Sequence, residues 1–243
     1  MTEMTRTELA RQVIVNLAAG AVSGYVGPLA GTAATGAAPA VLATMDYIAA
    51  AIGKRRREHA AETLTDGADE VGAQTPEEFT DFVMALLRDD EHQELLSRVL
   101  TAAMDTAMRD KRRALGRSLA SASDETGTTV DDELVFIRVL ADLNAAHVRL
   151  LRLMSTVPSH IAVQGIAARQ WYPWSISQAD PGLAGTVWPL LQLLDQHGLI
   201  VGGSEHWVPG GVMEPEYEIT PYGEWFLDRL AAPEEASLGT NSV

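Results

Sequence analysis

The sequence predicts a mainly α-helical protein whose last third adds a short β-hairpin between helices. Three observations lead to this. Apolar residues recur at helical spacing through most of residues 54–155. Composition then changes, and all five tryptophans fall after Met154. Within that last stretch, Gly- and Pro-rich turns separate two short segments of alternating or β-branched residues. The 243 residues carry 47% apolar and 21% charged side chains, an ordinary globular mixture. Acids outnumber bases 33 to 18, for a formal charge of −15, which opposes nonspecific binding to nucleic-acid phosphates. With no cysteine, disulfides, thiol catalysis and cysteine-ligated zinc are excluded. The expected organisation is an Ala/Gly-rich N-terminal helical segment over 1–53, a helical domain over 54–155, a hairpin-containing domain over 156–232 and a disordered tail over 233–243.

The N-terminal segment is set apart by its charge. From Gln12 to Met45, 34 residues, no side chain is charged. That exceeds the ~20 residues of a membrane-spanning helix. Gly20 and Gly24, and Gly27 and Gly31, form small-xxx-small pairs, the pattern that lets helix backbones approach closely in a bilayer. These four glycines are the candidate membrane-packing residues. Lys54, Arg55, Arg56 and Arg57 follow as candidate contacts to an anionic surface. The same composition also suits short helices packed against soluble neighbours, and Pro28 and Pro39 interrupt a continuous span. Glu3 and Glu8 leave Met1 to Glu8 without the basic start of a secretory signal. The glycines after Val13-Ile14-Val15 have the wrong spacing for a dinucleotide-binding turn. Gly53-Lys54 is not a P-loop, because Ile48 stands where a glycine is required and Arg55 replaces Ser or Thr.

Helical signals then follow one another. Ala60, Ala61 and Leu64 form a stripe that Gly67 and Gly72 are expected to end. Thr75-Pro76-Glu77-Glu78 is a capping box, followed by Phe79, Phe82, Val83, Leu86 and Leu87 on one face. A helix from Asp90 presents Leu95, Leu96, Val99, Leu100 and Ala103. The next carries Arg109, Lys111, Arg112, Arg113 and Arg117, expected as a solvated face paired with Asp105 and Asp110. Ser121 to Thr129 reads as a loop. Asp131 and Asp132 open a helix with Val135, Ile137, Val139, Leu140 and Leu143 apolar, and Asn144 caps another with Val148, Leu150, Leu151 and Leu153 inward. His147 lacks a ligand partner at helical spacing and is expected to be structural.

In the last third, Val187 to Leu194 is helical and stops at His197-Gly198. Leu199-Ile200-Val201 is a short strand, Gly202-Gly203 and Pro209-Gly210-Gly211 are turn material, and Tyr217 to Thr220 is the return strand. Pro221 opens a final helix with Trp225, Phe226 and Leu230 toward the core. Helix, strand, wing, strand, helix is the plan of a winged-helix-like unit. Its charges oppose DNA binding: from Leu153 onward the only bases are Arg169 and Arg229, and the wing carries Glu205, Glu214, Glu216 and Glu218. The tryptophans are expected in the core rather than around a ligand.

The ending Leu193-Leu194-Asp195-Gln196-His197-Gly198-Leu199-Ile200, followed by Tyr217-Glu218-Ile219-Thr220-Pro221-Tyr222-Gly223-Glu224-Trp225-Phe226-Leu227, resembles the close of the Abi-alpha family. The order of a Gly-rich start, a basic helix, a helical middle and this ending is also similar. The resemblance implies a non-enzymatic prokaryotic or prophage protein of bacterial abortive infection, the response in which an infected cell stops supporting phage growth. It carries over no catalytic residue, cofactor or metal ligand. The expectation is a cytoplasmic protein acting through a protein partner or self-association, with the inner membrane as the second setting. No small-molecule substrate is evident. A winged-helix transcriptional regulator is the alternative from a different class, opposed by the acidic wing, and a soluble structural or interaction protein of unspecified role is the next. An enzyme is not expected, because the acidic pairs Asp89-Asp90 and Asp131-Asp132 serve as helix starts.

Overall fold

The computed structural model describes residues 8, 10–14, 39–123, 130–156 and 170–231, with side chains in the first long helix described from residue 53. Gly20, Gly24, Gly27 and Gly31 lie outside the described residues, as do residues 124–129 of the expected loop and the expected tail over 233–243, whereas Ser121 to Ser123 of that loop are helical. The order of elements is α1 (Pro39–Glu70), α2 (Pro76–Ala85), α3 (Asp90–Asp105), α4 (Arg109–Ser123), α5 (Val130–Asp142), α6 (Ala145–Ser155), α7 (Pro173–Ala179), α8 (Val187–Gln196), β1 (Ile200–Val208), β2 (Val212–Ile219) and α9 (Pro221–Leu230). The chain forms two compact units, Met1–Ile137 and Arg138–Val243, so the division falls inside α5. Among the described residues, no helix is long and apolar enough to cross a membrane.

The first unit is built on α1, whose 32 residues span about 48 Å at 1.5 Å per residue. It runs through Gly53 and Gly67 rather than ending at Gly67. Gly67 has a packing role. A Cβ there would lie 2.8 Å from the Gly116 carbonyl oxygen, and a Cβ on Gly116 would lie 3.0 Å from the Gly67 nitrogen and from the Thr63 carbonyl oxygen. The backbones of α1 and α4 therefore touch where neither carries a side chain. Both helices also pack on α3. Leu64 and Ala68 from α1, Leu95, Leu96, Val99 and Leu100 from α3, and Leu115 and Leu119 from α4 are buried. Thr75 caps α2 through the full capping box, its Oγ1 accepting from the Glu78 N–H at 3.2 Å. Phe79 and Phe82 are buried there with ring centroids 6.5 Å apart.

In the second unit α6 packs on α8, α9 and β2, and α7 packs on α8 and β2. Asn144 caps α6, and His147 completes the cap by accepting the Asn144 N–H on Nδ1 at 3.1 Å. The antiparallel hairpin pairs Ile200 with Ile219 at its base and Val208 with Val212 at its tip. Gly210 and Gly211 turn the chain at φ values of 103° and 73°. Gly202 and Gly203 are not a turn. They lie within β1, where the register shifts between Gly202 and Glu205. At the shift the Glu216 side chain lies over Gly203, where a Cβ would fall 2.6 Å from its Oε1 and 2.7 Å from its Cγ.

The unit closes at the junction of hairpin and α9. Gly198 takes a left-handed φ of 68° as α8 ends. Thr220 donates its hydroxyl to the Gly198 carbonyl at 2.7 Å and accepts the Gly223 N–H at 3.0 Å, capping α9. A Cβ on Gly223 would fall 2.1 Å from the Leu199 carbonyl oxygen, so only glycine lets α9 lie this close to the strand. Trp171 extends the sheet edge: its N–H donates to the Tyr217 carbonyl at 2.8 Å, it accepts the Tyr217 N–H at 2.7 Å, and its indole N–H donates to the Met154 carbonyl at 3.2 Å.

Burial corrects several sequence expectations. Of the tryptophans, Trp171 is enclosed, whereas Trp188, Trp207 and Trp225 are exposed. Trp225 stacks on Tyr222 with centroids 5.4 Å apart, and the Arg229 guanidinium lies 5.1 Å from its ring centroid. Phe226, the next residue, fills the core instead. In α5 Ile137, Val139 and Leu140 are buried as expected and Phe136 joins them, whereas Val135 faces out.

Phe226→Ala should cost about 3–5 kcal/mol, and Trp225→Ala under about 1 kcal/mol, in chemical denaturation. Gly116→Ala and Gly223→Ala should each destabilise by at least ~1–3 kcal/mol through overpacking. Gly53→Ala, in helix with nothing within 4 Å of the added Cβ, should stabilise by about 0.5–1 kcal/mol. Equal effects at the three glycines would contradict the close approaches.

Candidate functional site

The hairpin presents the most exposed apolar surface among the described residues. Trp207 and Met213 face each other across the ladder, and Trp207 is 74% exposed. Val201 and Val212 are exposed on the same two strands, and Trp188 is 53% exposed on α8. A cross-strand Trp–Met pair in water contributes little to folding, because neither side chain is removed from solvent.

The opposite side of the hairpin is anchored. The Trp174 N–H donates to a Glu214 carboxylate oxygen at 2.8 Å. The Glu216 carboxylate lies 3.2 Å from His206 Nε2 and accepts the Tyr172 hydroxyl. The Tyr172 and His206 rings meet edge to face with centroids 6.1 Å apart. Burial, and then the neighbouring Glu216 charge, push the Tyr172 phenol above its ordinary value. Two of the four hairpin acids thus serve internal contacts, while Glu205 and Glu218 are exposed. The outward face gains no base in exchange.

The basic run at the middle of α1 does not act as one patch. Arg56 pairs with Asp105 of α3 at 2.8 Å. Lys54 lies 3.9 Å from Glu58 one turn on. Arg55 sits near His59, and Arg57 lines an open cleft together with Lys54 and Glu58. All four are exposed.

The second basic helix departs further from its expected solvated face. Lys111 and Arg112 of α4 are buried, because α4 is held between α1 and α3. Arg112 donates through Nε to Glu62 at 3.0 Å and through Nη1 to the Ala107 carbonyl at 3.0 Å. Asp105, expected as its partner, is taken by Arg56. Burial, and then the Glu62 charge, raise the Asp66 carboxyl above the usual range. His59 Nδ1 is buried without a hydrogen-bond partner, and burial, followed by the charges of Arg112 and Arg55, lowers its pKa below 6.5. Among the described residues, no group of three or more His, Asp or Glu side chains could hold a metal ion.

The class defined by these features is a mainly helical protein with a C-terminal helix–hairpin–helix unit. Comparison with known proteins found no family model, no curated protein and no solved structure that matches the chain. Sequence reasoning missed the Trp207–Met213 face. Its signal was the phase of β1, in which Trp207 alternates with Val208 and so cannot share its inward side.

The His59 environment predicts a pH effect. A lowered folded-state pKa means that the stability carried by the neutral ring is present above 6.5 and is lost as pH falls through the lower folded value. His59→Gln should flatten the decline in Tm between about pH 7.5 and pH 5 relative to wild type. Parallel curves for the two proteins would remove His59 as the cause.

Proposed function

We propose that the protein is a non-enzymatic factor of the abortive-infection type that acts by protein–protein contact through its C-terminal hairpin. In this reading α8, the hairpin and α9 form a winged helix turned to protein binding. The observation that carries the proposal is the exposed Trp207–Met213 pair. Tryptophan and methionine are enriched at contact surfaces, where an aromatic anchor enters a pocket and becomes desolvated. Glu205 stands two residues from Trp207 on this face, and Glu218 and Asp195 are exposed elsewhere on the same unit, so the fitting partner is a protein with an apolar notch and a basic rim. The resemblance of residues 193–200 and 217–227 to the Abi-alpha ending supports the biological setting.

A DNA-binding winged helix is supported less well. Trp188, Pro189, Gln192 and Asp195 stand on α8 where a groove-reading helix would need bases.

The experiment is phage challenge of a bacterial host expressing the wild-type chain or the Trp207→Ser/Met213→Ser variant. Wild type should lower phage yield at the cost of the infected cell. The variant should lose that effect while unfolding at the same temperature, since both side chains are exposed. Unchanged phage yield with wild type across unrelated phages, or full protection by the variant, would overturn the reading. Tight, salt-sensitive binding of a defined duplex would promote the regulator instead.

A further inference from the structure

A cavity of about 450 Å³ opens beside α1, and among the described residues Arg11, Lys54, Arg57 and Glu58 line it. Its volume is in the range of a small-ligand site. Arg11 comes from the helical turn at residues 10–14, which is fixed through Ala10 and Ile14, buried at 0% and 1% exposure. That burial leaves Arg11 exposed. Lys54 and Arg57 are three residues apart, so they share a face of α1.

Among the described residues that line it, three cations thus meet one carboxylate, in a chain whose acids outnumber its bases 33 to 18. The carboxylate compensates weakly. Glu58 is 3.9 Å from Lys54, with both side chains well exposed. Among the described residues neither Arg11 nor Arg57 makes an ion pair or hydrogen bond. Arg56, one residue away, has its own acid in Asp105. The two guanidinium groups are therefore available to an incoming anion.

We propose that this cleft binds a phosphate group, with Arg11 and Arg57 donating to its oxygens and Lys54 supplying a point charge. Planar guanidinium forks match phosphate oxygens in pairs, which favours phosphate over a monovalent halide. The phosphate can belong to a free phosphate compound or to the headgroup of an anionic lipid, and both present the same oxygens. The inference does not rest on the hairpin reading, whose residues belong to the second unit.

The test uses the full chain and two probes, inorganic pyrophosphate by titration calorimetry and phosphatidic-acid-containing phosphatidylcholine vesicles by co-sedimentation. Arg11→Gln and Arg57→Gln are compared with Arg55→Gln, an equal charge change on the same helix outside the cleft. All three positions are exposed, and thermal unfolding of each variant checks that the fold is kept. Arg11→Gln and Arg57→Gln should each weaken binding about tenfold, as expected for losing a charge-assisted hydrogen bond, and Arg55→Gln by under about twofold. This pattern with pyrophosphate identifies a free phosphate ligand; with vesicles alone it identifies a headgroup. No binding of either probe by wild type, or equal weakening by all three variants, would overturn the proposal.

Discussion

The first unit depends on the contact between Gly67 and Gly116. Helices that meet through side chains keep their axes apart, whereas here a backbone nitrogen and a backbone carbonyl occupy the space of two absent Cβ atoms. That closeness draws α4 into the layer between α1 and α3 and takes two of its charged side chains out of water. Lys111 and Arg112 then need internal partners, because a buried unpaired cation is expensive. Glu62 and the Ala107 carbonyl provide them for Arg112. The raised Asp66 and the lowered His59 are secondary consequences of the same seam, since each is shifted first by burial.

The second unit is closed by a comparable device. Thr220 ties the end of α8 to the start of α9 through one hydroxyl, donating to Gly198 and accepting from Gly223. Gly223 then admits the Leu199 carbonyl to a place no side chain could share. The Gly-Leu-Ile and Ile-Thr-Pro-x-Gly elements of the ending therefore have packing roles that follow from geometry alone. They locate the hairpin, and the hairpin's tip and outward face, which carry Trp207 and Met213, are free of those demands.

Two surfaces are left with more interaction capacity than the fold uses. The hairpin face is apolar with acids beside it, and the α1 cleft is cationic with one weakly engaged acid. Their chemistries differ, so they suit different ligands: a protein with a basic rim for the first, a phosphate group for the second.

The sequence by itself determined the local elements. Thr75 to Glu78, Asn144, Gly198 and Thr220-Pro221 mark helix ends because their side chains or their φ preferences satisfy terminal N–H and carbonyl groups within a few residues. The apolar stripes of α2, α3 and α8 were legible for the same reason, a period of 3.6 fixed by the helix itself. Tertiary structure alone decided what each polar or aromatic residue faces. Gly67 reads as a helix end until a second helix is seen to press on it. Lys111 and Arg112 of α4 read as solvated until neighbouring helices cover them. Trp225 and Phe226 are adjacent aromatics, and the helix places only Phe226 against the core. The union of Arg11 with Lys54 and Arg57 likewise depends on chain segments over forty residues apart meeting in space, for which no local spacing rule exists.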